Sequence, residues 1–161
     1  MQFANTLNKL SNGLNKVCKA LTVLLLAAMV VVTMAQIIFR FFHALQWSEE
    51  VTRYMLVWAT FIGASCAYKE GAHISITAIQ NFFPPKARKY VQILVHLVCI
   101  VLFIAIIYFG WKYAMKQFQL SPALRIPEKY VYTIVPIGFG MMTFHAVNEV
   151  VQMIFGKGGR D

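Results

Sequence analysis

Long uncharged stretches alternate with short polar ones along the whole chain. The four stretches that carry no charge, or almost none, cover residues 20–39, 54–68, 90–111 and 130–155. A helix needs roughly 20 apolar residues to cross a membrane, and the second stretch reaches that length if its helix begins near Trp47. This pattern predicts an all-α integral membrane protein with a single membrane domain over residues 1–161. We expect four transmembrane helices, at approximately residues 17–42, 48–69, 88–116 and 129–155.

The composition supports this prediction. Hydrophobic residues make up 59% of the chain and charged residues 13%, whereas a soluble domain carries about 25% charged residues. The first stretch follows Lys9, Lys16 and Lys19, as the apolar part of a signal peptide would. Such a part is about 7–15 residues long and ends in a small-residue cleavage site. Residues 20–39 are longer and "VVTMAQ" offers no such site, so we interpret this stretch as a retained span.

The net charge of +9 does not indicate a nucleic-acid partner, because the basic residues are spread over the loops and both termini. With the N-terminus in the cytoplasm, nine lysines and arginines fall on the cytoplasmic side and six on the outer side. The positive-inside rule then predicts that both termini are cytoplasmic. Cys18, Cys66 and Cys99 are odd in number and lie in or beside apolar segments, so we expect no disulfide framework.

Two segments at the predicted cytoplasmic side have helical patterns outside the spans. Residues 73–83 place their apolar side chains on one side of a helical wheel and precede Pro84 and Pro85. We therefore predict a short amphipathic helix in the membrane interface between the second and third spans. The alternative is an irregular loop in which "HISIT" alternates like a strand. Residues 1–16 are consistent with either a frayed terminus or a helix on the inner leaflet.

Small residues mark two of the predicted spans. Ala59, Gly63 and Ala67 follow one another at four-residue spacing in the second span, which is typical of a surface where another helix packs closely. The fourth span contains Pro136 with two glycines shortly after it, and proline removes a helical hydrogen bond. We expect a kink there.

The segment "LQWSEEVTRYMLVW", residues 45–58, places three charges at the edge of an apolar run. Ser48 is suited to be the N-cap of the second span, and carboxylates in the first helical turn favour the positive end of the helix dipole. Glu49 and Glu50 lie four and three residues before Arg53, so an ion pair on the helix surface is expected. One negative charge is then left over.

The ionisable residues within the fourth span are His145 and Glu149, which share a helix face. Such groups can form a proton relay, but Glu149 is near the end of the span and we favour an interhelical or intersubunit hydrogen bond. His96 and His145 could also hold a haem, although they lie at different depths. The sequence shows no nucleophile–base arrangement, phosphate loop, zinc-ligand spacing or repeated halves. We therefore expect neither an enzyme nor a complete transporter.

Two stretches together resemble a known family. "WSEEVTRYMLVWATFIGASCAYKEGAHI", residues 47–74, and "SPALRIP", residues 121–127, followed by "YTIVPIGFGMM", are similar to the recurring stretches of the small membrane subunit of tripartite ATP-independent periplasmic (TRAP) transporters. This is the Q-type subunit, like that of dicarboxylate transporters. The resemblance covers all four predicted spans, and the chain as a whole is most similar to sialic-acid systems.

The resemblance implies a role in the bacterial inner membrane. Such a subunit pairs with a large multi-span subunit that carries the substrate and sodium sites, so sodium is expected in the partner and no cofactor in this chain. A periplasmic binding protein delivers an organic acid anion, either sialic acid or a dicarboxylate, and the sodium gradient drives uptake. The small subunit is then a scaffold and docking surface embedded in phospholipid.

The candidate interface residues share a place in the motifs, the small-residue stripe or the polar pair of the fourth span. They are Trp47, Glu49, Glu50, Arg53, Ala59, Gly63, Ala67, Ser121, Pro122, Arg125, His145 and Glu149. A haem-binding electron carrier and a stand-alone channel or exporter stay as alternatives to the transporter subunit.

Overall fold

The computed structural model describes residues 2–40, 46–80 and 85–155, with side chains described at 5–40, 47–71 and 90–154. The helices are α1 (Gln2–Phe39), α2 (Gln46–Gln80), α3 (Pro85–Ala114), α4 (Lys129–Tyr132) and α5 (Ile134–Phe155). The part of the chain covered by these ranges contains no β-strand, only an isolated bridge between Leu120 and Pro127. The all-α prediction is confirmed.

Three helical segments are long and apolar enough to cross a membrane: Asn5–Phe39, Tyr90–Ala114 and Lys129–Ile154. They correspond to the first, third and fourth predicted spans. Helix α2 is not among them, because Arg53 and Lys69 bound its uncharged centre. A crossing by α2, and with it the count of four spans, stays a prediction.

The four long helices pack in the order α1, α2, α5, α3, and α1 also contacts α5. Gln36 near the end of α1 contacts Glu49 near the start of α2, and Ser11 near the start of α1 contacts Lys69 in the second half of α2. Helices α1 and α2 are therefore antiparallel. We name the two ends of the bundle the Glu50 end and the Lys69 end.

The core lies where α1, α2 and α5 meet, around Cys18, Ile62, Cys66 and Ile134. Next to it, aromatic rings connect α2, α5 and α3. The ring centroids of Phe61 and Phe139 are 6.0 Å apart, those of Phe139 and Phe103 5.5 Å, and those of Phe103 and Tyr68 5.3 Å. Edge-on and tilted contacts of this kind add stability beyond the burial of area.

Helices α2 and α5 approach closely at Gly138. A Cβ atom at this position would lie 2.9 Å from the Cβ of Phe61 and 3.2 Å from its carbonyl oxygen. Because a backbone atom cannot rotate out of the way, only glycine fits without moving one helix. Gly138 therefore has a packing role that the sequence pattern did not reveal.

In the fourth predicted span, Thr133 separates α4 from α5. Pro136 has no N–H to donate to the carbonyl of the preceding turn. The Thr133 hydroxyl donates to a different carbonyl, that of Lys129, at 2.6 Å. Thr133 itself has helical backbone angles, and its N–H and carbonyl keep helical hydrogen bonds with Lys129 at 3.0 Å and Ile137 at 3.4 Å, so the predicted kink near Pro136 stays a prediction.

Two boundaries differ from the predictions. Helix α1 begins at Gln2, so the N-terminal segment continues the first span as one helix. The structure shows no separate helix at 73–83, since residues 73–80 continue α2 and 81–83 lie outside the described residues. A single glycine, Gly71, costs a helix about 1 kcal/mol, which is too little to end it. Placement of this segment in the interface stays a prediction.

Candidate functional site

At the Glu50 end, the carboxylate of Glu50 binds the loop that connects α3 to α4. The Ser121 hydroxyl and the Leu124 N–H both donate to Oε2, the latter at 3.0 Å, and the Ala123 N–H donates to Oε1 at 3.0 Å. Ser121 is buried as a result. Both carboxylate oxygens are therefore used, and they attach the loop to the first turns of α2.

The loop can present these donors because its own backbone is closed. The Ser121 N–H donates to the Ile126 carbonyl and the Arg125 N–H donates to the Ser121 carbonyl, both at 3.0 Å. Arg125 has a φ of 53°, in the left-handed region that a non-glycine residue rarely adopts. This closure turns consecutive N–H groups toward Glu50, in the manner of an anion-binding nest. The loop formed by the "SPALRIP" motif is thus shaped to bind one carboxylate of the "WSEE" motif, that of Glu50.

The structure corrects two details of this motif. Helix α2 begins at Gln46, so Ser48 is a buried residue of the first turn rather than the N-cap. No ion pair joins Arg53 to either glutamate among the described side chains. The donors from the loop hold Glu50, and the Gln36 amide donates to Glu49 at 3.4 Å. The spacing allowed a pair on the helix surface, but the Glu50 carboxylate accepts from the loop, and Arg53 acts on it only by electrostatic attraction.

An open cleft of about 540 Å³ lies beside this contact. Its polar rim includes Glu49, Arg53 and Glu128, and its walls include Val57 and Val135. Arg53 is exposed, as are Trp47, Pro122 and Arg125 of the predicted interface residues. Glu128 belongs to this cleft but to neither motif, so the motifs alone did not identify it.

The small-residue stripe of α2 is split between two environments. Ala59 is buried, and a Cβ atom on Gly63 would lie 3.3 Å from the Thr22 methyl group of α1. Ala67 is exposed. The stripe therefore serves packing within the chain at Gly63, and only its Ala67 end is open to another protein.

At the Lys69 end, a buried chain of polar groups joins α2, α1 and α5. Lys69 Nζ donates to Ser11 Oγ at 2.8 Å and to Asn12 Oδ1 at 2.7 Å, and Ser11 Oγ lies 2.8 Å from His145 Nδ1. An ammonium group can only donate, so Ser11 accepts from Lys69 and directs its own hydrogen to His145. Ser11, Lys69 and His145 are all buried. The interhelical bond predicted for His145 is confirmed.

Glu149 and Asn148 extend the same buried cluster, and Glu149 attracts the charge of Lys69. At the surface nearby, Lys19 forms an ion pair with Glu70. Hydrogen bonding to Lys19 lowers the pKa of the Glu70 carboxyl.

Ser11 and Lys69 were missed by the sequence analysis, although the sequence held a signal for one of them. Ser11, Asn15, Cys18 and Thr22 lie on one face of α1. A face of small and polar residues on an apolar helix is typical of a helix contact.

The two histidines considered as haem ligands have partners in the protein at Nδ1, whereas their buried Nε2 atoms have no hydrogen-bond partner among the described residues. His96 Nδ1 lies 3.0 Å from the carbonyl oxygen of Gln92, and His145 Nδ1 contacts Ser11. Within the residues searched, 2–40, 46–80 and 85–155, no group of three or more His, Cys, Asp and Glu side chains could hold a metal ion.

Two polar junctions hold this chain together: Glu50 with the loop after α3, and Lys69 with Ser11 and His145. With the fold, they define a helical membrane protein whose most elaborate contacts join its own helices and loop. The family model of the tripartite ATP-independent periplasmic transporters, DctQ component, matches residues 29–156. The chain belongs to this family, whose members are transporter components. The match includes α2, the loop at 121–128 and α5.

Relatives support the same assignment. The ectoine TRAP transporter small permease protein TeaB of Halomonas elongata is 30% identical, over 83% of this chain and 70% of the relative. The sialic acid TRAP transporter small permease protein SiaQ of Vibrio cholerae is 27% identical, over 92% of this chain and 87% of the relative. The sialic acid TRAP transporter permease protein SiaT of Haemophilus influenzae is 29% identical, over 78% of this chain but only 21% of the relative.

The comparison with SiaT is informative about the partner. A segment similar to this chain occupies about a fifth of that longer permease. In that relative, the small part and a much larger membrane permease part belong to one polypeptide. A large membrane subunit is therefore the partner that the family relationship supports for this chain.

Proposed function

We propose that this chain is the small permease subunit of a sodium-driven TRAP transporter in the bacterial inner membrane. A large multi-span subunit carries the substrate and sodium sites, and a periplasmic binding protein delivers the organic acid anion. The observation that carries the proposal is the family match over residues 29–156. The polar junctions at both ends of the bundle support a scaffold role, because their described contacts join elements of this chain.

In this proposal α2 crosses the membrane together with the three apolar helices, and both termini are cytoplasmic. The Glu50 end then faces the periplasm and the Lys69 end faces the cytoplasm. Charge supports this orientation, since it places nine of the fifteen lysines and arginines inside. Trp47 and Trp111 are exposed at the Glu50 end, as residues of an aromatic belt would be.

A cysteine-labelling experiment tests the orientation. A Pro122→Cys variant without the native cysteines should react with an impermeant thiol reagent added to whole cells, because Pro122 is exposed on the loop. A Lys16→Cys variant is the matched control and should react only after the cells are opened. The reverse order of labelling would refute the proposed orientation.

We place the contact with the large subunit on the exposed side of α2. Helices α1 and α3 expose bulky apolar residues, such as Leu24 and Leu102, that suit lipid. Helix α2 also exposes Leu56, but the same side of the helix carries Arg53, Thr60 and Ala67. Small and polar side chains allow another helix to approach and to form hydrogen bonds within the membrane. Because lipid cannot hydrogen-bond to these side chains, we expect coverage by another protein to stabilise α2 more than the other helices.

The substrate is proposed as an organic acid anion, with sialic acid favoured by the resemblance of the chain as a whole. The relatives are named for different substrates, sialic acid and ectoine among them. We assign no substrate-binding residue to this chain. The choice of substrate is therefore proposed to reside in the binding protein and the large subunit.

Reconstitution tests the function. This chain, the large subunit and the binding protein are placed in proteoliposomes, and uptake of labelled sialic acid and of a C4-dicarboxylate is measured with and without an inward sodium gradient. We expect one of the two anions to be taken up in a sodium-dependent manner, and this uptake to require all three proteins. Full uptake without this chain would refute the scaffold role. Uptake by this chain alone would favour the stand-alone channel, and a haem absorption spectrum would favour the electron carrier.

A further inference from the structure

Three sulfur atoms meet in the core, where α1, α2 and α5 pack together. Cys18 Sγ lies 3.5 Å from Met141 Sδ, and Cys66 belongs to the same buried cluster as Cys18, against which Met141 packs. The two cysteines are 4% and 7% exposed. Each sulfur comes from a different helix, so tertiary packing creates the cluster and no local sequence motif announces it.

We propose that Cys18, Cys66 and Met141 form a binding site for one Cu(I) ion. Thiolate and thioether sulfurs are the soft ligands that Cu(I) prefers. A metal–thiolate bond of about 2.3 Å, the length known for zinc, places the sulfur atoms of a trigonal site about 4 Å apart. The 3.5 Å between Cys18 and Met141 therefore needs only a small expansion to admit the ion. This site is independent of the transport function proposed above.

Binding is a proton exchange without electron transfer. Each cysteine thiol releases one proton to the buffer as its sulfur bonds to the ion, and the thioether of Met141 donates a lone pair without losing a proton. Two thiolates and one Cu(I) leave a single negative charge in the core. Lys19 and Lys69 both interact electrostatically with Cys66 and reduce the cost of this charge, although Glu70 and Glu149 share their positive charge.

The ligand set discriminates against the commoner metals. Structural zinc sites usually have four nitrogen or sulfur ligands, and magnesium and calcium require oxygen. The site offers two thiols, one thioether and a nearby backbone carbonyl, that of Asn15, which lies 3.8 Å from Cys66 Sγ. A low-coordinate site in apolar surroundings suits a soft monovalent ion.

The test is a competition titration of the purified, reduced chain in detergent with Cu(I) held by the chromophoric chelator bicinchoninate. The wild-type chain should withdraw one Cu(I) per chain, and X-ray absorption should show sulfur neighbours only. Cys18→Ser and Cys66→Ser should each lose this binding, and Met141→Leu should weaken it. Cys99→Ser is the matched control, because Cys99 lies on α3, and it should bind as the wild type does.

Several outcomes would overturn the proposal. One is failure of the wild-type chain to take copper from the chelator, and another is copper binding that persists after both Cys18 and Cys66 are replaced. Loss of copper binding in Cys99→Ser would also contradict it. A product lighter by two hydrogen atoms in intact mass, without copper, would show a disulfide instead of a metal site. Thermal unfolding of each metal-free variant controls for folding. Met141→Leu conserves side-chain volume and decides the question if a serine variant does not fold.

Discussion

Replacing Gly138 with alanine should push α2 and α5 apart. The added Cβ atom would lie 2.9 Å from the Cβ of Phe61 and 3.2 Å from its carbonyl oxygen, and neither atom can rotate away. Inserting a methyl group into a packed core costs about 1–3 kcal/mol. The same substitution gains about 1 kcal/mol, because alanine is a better helix former than glycine. The net destabilisation of Gly138→Ala is therefore about 0–2 kcal/mol, and the short contact favours the upper part of this range.

Gly140→Ala isolates the packing term, because Gly140 is on the same helix and a Cβ atom there would meet nothing within 4 Å. Both variants gain the same helix propensity, so the difference between their stabilities measures the overpacking cost of about 1–3 kcal/mol. Gly63→Ala should fall between them, since its closest contact, at 3.3 Å, is the movable methyl group of Thr22.

The measurement is thermal unfolding of all variants in the same detergent. Unfolding is monitored by intrinsic fluorescence and by loss of the monodisperse peak in size-exclusion chromatography. For a chain of this size, 1 kcal/mol corresponds to about 2–4 °C in Tm. We expect the order Gly140→Ala, Gly63→Ala, Gly138→Ala from most to least stable. Equal melting temperatures for Gly138→Ala and Gly140→Ala would refute the close approach of α2 and α5.

Three further predictions concern the polar junctions and the exposed side of α2. Ser11→Ala leaves the buried His145 Nδ1 without its hydroxyl partner and should lower the free energy of unfolding by about 1–3 kcal/mol; unchanged denaturation in detergent would contradict this. Glu50→Ala should release the loop and speed hydrogen exchange of its backbone amides, whereas Glu49→Ala should not; equal exchange in both variants would mean that the carboxylate does not hold the loop. Ala67→Leu should reduce co-purification of the large subunit without lowering the stability of this chain, and wild-type recovery of the complex would place this side of α2 toward lipid.

The helices were predictable because their signal is local. Length and apolarity gave the three segments that are long and apolar enough to cross a membrane. The α2 span was predicted from the same apolar pattern, yet Arg53 and Lys69 make its apolar centre short. Its stability in a membrane depends on neighbours, which the sequence of one helix does not describe.

The partners of the polar residues were harder to predict because they are distant in sequence. Glu50 was expected to pair with Arg53 one helical turn away, but its carboxylate binds amides of the loop after α3. The choice depends on the closed backbone of that loop, which includes a left-handed residue at Arg125. Similarly, Gly138 looked like part of a kink, and only the position of Phe61 shows that it is a contact.

The closed loop at 121–127 has a consequence for recognition. Ordering the backbone costs on the order of 1–2 kcal/mol per residue in lost conformational entropy. Here the internal hydrogen bonds and the carboxylate of Glu50 fix the loop within the chain itself. A protein that docks on the exposed Pro122 and Arg125 would meet a surface already in its final shape. Association would then require no folding step, which favours rapid and repeated encounters over a single long-lived one.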